Sequence, residues 1–144
     1  MEVVIRKARQ EDFEAVYDFI CELQNKTFNK TQLQQIFLEN IIKKDNIYLI
    51  AYCQAKPVGY LSCHIQQLLH HGGKVAEIQE VFVNPAHRSQ GIGKLLIDEI
   101  KKLAKELGSL QLEVTTRQIR EKAIQFYIRE SFEDSHKKLV YYYQ

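Results

Sequence analysis

In the stretch Val81-Phe82-Val83-Asn84-Pro85-Ala86-His87-Arg88-Ser89-Gln90-Gly91-Ile92-Gly93-Lys94-Leu95-Leu96, a β-branched run gives way to a proline turn and then to a helical apolar pattern. A helix start offers free backbone N–H groups and the positive end of the helix dipole, which stabilise an anion, typically a phosphate. Gly91 and Gly93 remove the side chains that would keep a phosphate off the backbone, and Arg88 and Lys94 add charge on either side. Two phosphate loops do not fit. A nucleotide triphosphatase loop needs Gly five residues before Gly93 and Ser or Thr after Lys94, where this chain has Arg88 and Leu95. The dinucleotide fingerprint needs a third glycine where Leu96 stands. What fits is an anion loop of the form Arg-x-x-Gly-x-Gly.

The strand leading into this loop carries two carboxylates. Strict alternation over residues 75–83 predicts Glu77, Gln79, Val81 and Val83 on one face and Ile78, Glu80 and Phe82 on the other. Carboxylates so near an apolar strand end are costly unless satisfied, so both are candidates for general-base chemistry, with a salt bridge or loop anchor as the plainer use of each. His64, His70 and His71 are candidates to hold an anionic substrate group. They have no His-Glu-x-x-His spacing, and adjacent histidines in a polar loop are usually solvated.

Hydrophobic spacing supplies the elements that must position these groups. Residues 3–8 read as a strand, and Phe13, Val16, Tyr17, Ile20 and Leu23 recur at helical intervals. Thr31 is expected to cap a second helix carrying Leu33, Ile36, Phe37 and Ile41. Runs 47–53 and 58–65 predict a hairpin turning through Gln54-Ala55-Lys56-Pro57. Beyond the strand at 75–83 come a helix at 91–107 stopped by Gly108, a strand at 110–114, a helix at 120–129 and a final strand at 138–143. This order predicts an α/β (α+β) fold of three layers, a mixed and mostly antiparallel sheet flanked by about four helices. No repeat, linker or composition break divides the chain, so residues 1–144 are expected to be one domain.

Composition narrows the partners. Twenty Lys and Arg against 18 Asp and Glu leave a net charge of +2, far from the basic excess of a nucleic-acid binder. No apolar run approaches the roughly 20 residues that span a membrane. Cys21, Cys53 and Cys63 lack Cys-x-x-Cys spacing and read as buried thiols, so a soluble, cytoplasmic protein is expected. The aromatic end Val140-Tyr141-Tyr142-Tyr143 offers a segment that can pair across a homodimer.

The Arg88-x-x-Gly91-x-Gly93 loop behind Val81-x-Val83-x-Pro85 resembles the GNAT acyltransferase superfamily. Downstream, Ala123-Ile124-Gln125-Phe126-Tyr127 is similar to that superfamily's Ala-x-x-Phe-Tyr segment. The resemblance implies a GNAT-type fold and acetyl-CoA as cosubstrate. It assigns the pantetheine arm to Val81, Phe82 and Val83, and the pyrophosphate to Arg88, Ser89, Gln90, Gly91, Ile92, Gly93 and Lys94. It makes Tyr127 the general acid that protonates the departing thiolate, the plainer reading being an aromatic packed beside Phe126. An amine with pKa near ~10 is only about 0.1% neutral at pH 7, so a base or water relay is needed. By position Glu77 matches the superfamily's catalytic Glu, with Glu80 in reserve. Two departures are Ser131, where the superfamily usually has Gly, and Arg120, where many members have Asn.

Within the superfamily the chain resembles the aminoalkylphosphonate N-acetyltransferases, through Ala15-Val16-Tyr17, Ile20-Cys21-Glu22-Leu23, Leu69-His70-His71, Glu77-Ile78-Gln79-Glu80, Phe126-Tyr127-x-Arg129-Glu130 and Arg120. That branch implies acetyl transfer to the amine of a small aminophosphonate, with His64, His70, His71 and Arg120 as candidates to bind the dianion. It also implies a divalent metal, for which the sequence assigns no ligands. Other acceptors (an aminoglycoside, a polyamine, an amino sugar, a protein N-terminus or lysine) share every catalytic feature, and a non-catalytic coenzyme A-binding module shares the loop.

Overall fold

A computed structural model describes residues 2–118 and 120–144. In chain order the elements are β1 (Val3–Lys7), α1 (Phe13–Gln24), α2 (Lys30–Ile41), β2 (Asn46–Cys53), β3 (Lys56–Leu68), β4 (Gly73–Val83), α3 (Ile92–Glu106), β5 (Ser109–Val114) and α4 (Glu121–Arg129), with short 3-10 turns before α1, between β3 and β4, and after β4. The strands lie in the order β1-β2-β3-β4-β5. The first four pair antiparallel and β4 pairs with β5 in parallel, which requires the crossover that α3 supplies. This is the mixed sheet with four helices expected from the sequence.

The sheet separates two hydrophobic clusters. On one face Leu49, Leu61, Cys63, Ile78 and Ala76 meet Ile92, Leu96, Ile97 and Ile100 of α3, and Phe126 and Tyr127 of α4 pack against the same cluster. On the other face Tyr48, Ile50, Tyr60 and Phe82 meet Phe13, Val16 and Phe19 of α1 and Phe37 of α2. Period-2 alternation along the strands and 3.6-residue stripes on the helices therefore meet in two cores, which makes three layers. Among the described residues no helix is long and apolar enough to cross a membrane.

Four local expectations change. Asn29 rather than Thr31 caps α2, its side chain accepting from the Gln32 N–H at 2.9 Å. The β2–β3 turn is tighter than expected: Gln54 and Ala55 both adopt left-handed φ, 53° and 63°, and pairing resumes at Lys56. A two-residue turn with both φ positive matches the twist of its flanking strands. On β4 the pairing shifts between Ser62·Glu80 and Cys63·Ile78, so Gln79 is an extra, bulged residue. The bulge overturns strict alternation, because Glu77 pairs with His64 and so shares the face of Glu80 and Phe82 rather than that of Val81 and Val83. Finally, residues 138–143 form no strand; residues 133–144 carry neither helix nor strand, because none of the described residues lies alongside to take their backbone hydrogen bonds.

Asp12 pins the start of α1 to the sheet. Its buried carboxylate accepts from Arg6 Nη1 at 2.7 Å and Nη2 at 2.9 Å, from Tyr52 Oη at 2.7 Å and from the Arg9 N–H at 2.6 Å. Burial alone would raise its pKa, but these hydrogen bonds outweigh it and hold the group at about 2. A carboxyl depressed in the folded state adds stability above its unfolded pKa and loses it as pH falls through the folded one. Unfolding free energy should therefore fall by on the order of 2 kcal/mol between about pH 4 and pH 2 through this residue. Chemical denaturation across that range should show a flatter pH dependence for Asp12→Asn, which is also less stable at pH 7.

Replacing Ala55 by Gly should raise unfolding free energy by about 0.5–1 kcal/mol, because glycine enters the left-handed region without the Cβ penalty. A guanidinium titration showing no gain would contradict the strain assigned to this turn.

Candidate active site

The last register pair between β4 and β5 is Ile78 with Val114, while β4 itself continues to Val83. The edge of residues 79–83 that faces away from β3 therefore has no strand neighbour, and the sheet opens into a cleft. Backbone groups along such an edge can receive an extended ligand as an added strand would be received. Phe82 is not free to do more than that with its side chain, which is buried and stacked on Phe19 at 5.1 Å. Val81 and Val83 pack toward the α3-side core.

Past the cleft the chain turns into α3. Ser89 and Gly91 adopt left-handed φ of 69° and 80°, and no side chain caps the α3 N-terminus. Left-handed residues of this kind turn backbone N–H groups toward one concavity, an anion-binding nest at the positive end of the helix. A Cβ built on Gly91 meets nothing within 4 Å, so its glycine is required by φ; one built on Gly93 stands 3.4 Å from the Phe126 ring. Arg88 donates through Nε to Val83 O at 2.9 Å, with its guanidinium 5.7 Å from the Phe82 ring centroid. The side chains of Ser89 and Gln90 are exposed, while that of Ile92 is buried in the core and leaves only its backbone to face the loop. Lys94 turns away toward α4, 3.2 Å from Glu130 Oε1 and 3.5 Å from Asp98 Oδ2. Uncapped N–H groups, a nest and a nearby guanidinium suit a ligand carrying phosphates, such as the pyrophosphate of coenzyme A.

The titratable groups approach the cleft from both faces. On the α1–α2 side Glu77 accepts from Thr115 Oγ1 at 3.0 Å and faces His64 across β3 and Glu113 across β5. Glu80 is more heavily committed, accepting from Ser62 Oγ and from Tyr60 Oη, the latter at 3.4 Å. His64 Nε2 shares a 2.8 Å hydrogen bond with Tyr48 Oη, to which Asn40 also donates at 3.1 Å. Burial lowers the His64 pKa, so the imidazole is neutral near pH 7, and it pushes Tyr48 up to about 12. On the α3 side Tyr127 stands between Phe126 and Phe132, with ring centroids at 5.3 and 5.6 Å. Burial pushes its hydroxyl up to about 12, and the charge of Arg120 acts in the opposite direction. Arg120 itself begins α4 and donates to Leu23 O, at the end of α1, at 3.5 Å.

His70 and His71 are not part of this group. They form an exposed to half-exposed pair, rings 4.4 Å apart, in the turn between β3 and β4. The β4 strand begins after them at Gly73, so its four steps to Glu77 separate that turn from the carboxylate by roughly 13 Å. Among the described residues no three His, Cys, Asp or Glu side chains gather closely enough to hold a metal ion, so the donor set does not fit a resident divalent metal. Sequence spacing gave no sign of Thr115, Ser62, Tyr48 or Asn40. The roles of Thr115, Ser62 and Tyr48 come from strand register and that of Asn40 from the packing of α2 on β2, although a Thr one residue past a strand that ends beside the cleft is a usable hint.

A parted sheet, a phosphate-type loop at the following helix and polar groups meeting from both faces define an acyl-transfer fold. The chain belongs to the acetyltransferase (GNAT) family, whose model matches residues 4–132, and it is an acetyl-CoA-dependent N-acetyltransferase. It is 34% identical over 132 residues, 92% of this chain and 86% of the relative, to the aminoalkylphosphonate N-acetyltransferase of Salmonella typhimurium. The crystal structure of a transcriptional regulator from Bacillus halodurans C-125 superposes with a TM-score of 0.91 at 27% identity, covering 99% of this chain and 100% of that one. Glucosamine-6-phosphate N-acetyltransferase from Arabidopsis thaliana shares the fold, with a TM-score of 0.84 at 16% identity and 100% of both chains covered.

The two loop glycines should respond differently to alanine. Gly91→Ala forces a Cβ into a left-handed conformation and should cost about 1 kcal/mol, a Tm loss of a few degrees. Gly93→Ala meets only ordinary contact and gains helix propensity, so its Tm should be unchanged or higher. Calorimetry giving equal losses for both would contradict the assigned geometry.

Proposed function

We propose that this chain transfers the acetyl group of acetyl-CoA to the primary amine of an aminoalkylphosphonate, by direct attack with Glu77 as general base and Tyr127 as general acid. The observation that carries the acceptor is the 34% identity, over 92% of this chain, to the Salmonella enzyme of that name. One acetyltransferase domain spanning residues 1–144 and working in a reducing cytoplasm is part of the same reading, in keeping with free thiols at Cys21, Cys53 and Cys63.

Each group has a chemical reason for its role. The free edge of residues 79–83 pairs with the pantetheine arm, and the backbone of residues 89–93 with Arg88 takes the phosphates. Lys94 contributes only long-range charge, because Glu130 and Asp98 hold its ammonium. Glu77 removes the amine proton, directly or through water. It is preferred over Glu80, whose carboxylate is already engaged by Ser62 and Tyr60. A main-chain N–H of the same edge stabilises the oxyanion as the amine attacks. Tyr127 arrives protonated at any physiological pH, and the nearby Arg120 eases release of its proton to the thiolate. On the acceptor side Arg120 supplies positive charge for a dianion, while neutral His64 acts as a hydrogen-bonding group.

A free-thiol assay should compare aminoethylphosphonate, aminomethylphosphonate, spermidine, an aminoglycoside and a peptide, each with and without divalent metal. The phosphonates should give the highest kcat/KM; turnover of another amine with neither phosphonate would sink the acceptor assignment. Glu77→Gln and Tyr127→Phe should each lower kcat about 10²-fold or more, with Glu80→Gln costing less. Tyr127 packs through its ring against Phe126 and Phe132, contacts that phenylalanine keeps, so Tyr127→Phe should fold normally. Full activity in both of the first two variants would refute the base and acid assignments.

A further inference from the structure

Asn40, Tyr48 and His64 form a hydrogen-bonded series that runs from α2 over β2 to β3 on the α1–α2 face. Asn40 Nδ2 donates to Tyr48 Oη at 3.1 Å, and Tyr48 Oη lies 2.8 Å from His64 Nε2. The far end is anchored. Asn46, the β2 residue opposite His64, donates through Nδ2 to Asn40 O at 3.0 Å, and the buried Tyr48 ring packs on Phe37 and Tyr60 at centroid distances of 6.0 and 6.2 Å. At the near end His64 is only half-buried and stands opposite Glu77, one residue before β4 parts from β5. The protons in this series have a direction. Tyr48 Oη accepts from the Asn40 amide, which leaves its own single proton to give to His64. Burial, which pushes Tyr48 up to about 12, keeps that proton on the oxygen until it is shared with the imidazole. Burial also lowers the His64 pKa, against the pull of Glu80 and Glu77, so the ring is neutral. A neutral imidazole that accepts at Nε2 must carry its proton on Nδ1.

We propose that Asn40 and Tyr48 are positioning residues that lock His64 with its proton on Nδ1, where it donates to a phosphonate oxygen of the acceptor. The ligand rests on the acceptor proposed above; the tautomer does not. A phosphonate dianion only accepts hydrogen bonds, so an Nδ1–H attracts it, whereas a bare Nδ1 lone pair would repel it. The lock removes the wrong tautomer before the substrate arrives, and the affinity that would go into selecting it is kept. It also discriminates. A polyamine brings an ammonium to the same Nδ1–H, donor against donor, and gains nothing from it. Asn40 thereby makes α2, a helix without a residue in the acetyl-transfer step, part of the choice of acceptor.

Long-range proton–nitrogen correlation spectra of the histidine side chains read the tautomer in the free protein, with His64 assigned by its loss in His64→Gln. Near neutral pH the full chain should show His64 uncharged with its proton on Nδ1. Tyr48→Phe keeps the ring contacts with Phe37 and Tyr60 but should let the Nε2–H form appear. With aminoethylphosphonate as acceptor, Tyr48→Phe should raise its KM about tenfold, with kcat and the KM for acetyl-CoA changing far less. Asn40→Ala should act in the same direction by less. His64→Asn sets an amide donor where Nδ1 stood and His64→Gln sets one where Nε2 stood, so the asparagine variant should keep more of the phosphonate affinity. A His64 that is charged or carries its proton on Nε2, or an asparagine variant no better than the glutamine one, would overturn the proposal and leave the acceptor assignment intact. A loss confined to kcat would also overturn it, since the Nδ1–H would then serve Glu77. Turnover of other amines with neither phosphonate would remove the acceptor reading and the ligand assigned to His64 together, even with the tautomer as stated.

Discussion

The parting of β4 from β5 after Ile78 and Val114 is the constraint on which the rest of this molecule depends. A parallel pair is stable only while its hydrogen bonds continue, and here β4 runs on for residues 79–83 with one edge unpaired. An unpaired edge inside a sheet would ordinarily be a liability. It is tolerable because β3 holds the opposite edge as far as Val83 with Gly59, and because the clusters on both faces keep the strand in place. The opening is also the passage between those faces. Glu77 belongs to the α1–α2 face and Tyr127 packs with the α3 core, so the base and acid we propose, held by different layers, can meet one substrate only where the sheet has opened.

The bulge at Gln79 works with that parting. Without it, Glu77 would share the face of Val81 and project toward the α3 core, where a carboxylate has no solvent and no evident partner. With it, the carboxylate stands beside His64 and accepts from Thr115, half-buried and still in touch with water. Glu80 reaches the same face by a different route and is claimed by Ser62 and Tyr60. Two acids three residues apart in sequence thus have unequal freedom, and the inequality comes from one extra residue in one strand.

Much of this was legible in the sequence, and what was not has identifiable reasons. The helices, the hairpin, the mixed sheet and the glycine loop before α3 follow from hydrophobic spacing and from Gly91 and Gly93, which are local signals. Alternation on β4 failed because a bulge is set by how two strands pair, and neither strand records it alone. The Thr31 cap lost to Asn29 for a smaller reason: both are good caps, and the entry of the chain from α1 decides which starts the helix. His70 and His71 looked like neighbours of His64 because they are near it in sequence, but a hairpin carries its turn away from the residues at its base. The strand at 138–143 has the right residues for a strand, whose formation requires a neighbour that no run of side chains can guarantee.

The placement of Tyr127 raises the sharpest energetic question. A phenol held at about 12 by burial is a poorer acid than a free one, so burial opposes the role proposed for it. The same burial removes water that would otherwise compete to protonate the thiolate, and it strengthens every charge interaction in the cleft. Arg120 is placed to turn that to advantage. It joins the start of α4 to the end of α1, and on the proposed function its guanidinium favours the tyrosinate on one side and an anionic acceptor on the other. The substrate's charge would then partly cancel the arginine's for as long as the acceptor or its acetylated product stays bound. On this reading the pKa of Tyr127 depends on what occupies the acceptor side, and proton release is coupled to the acceptor through a residue that touches both layers.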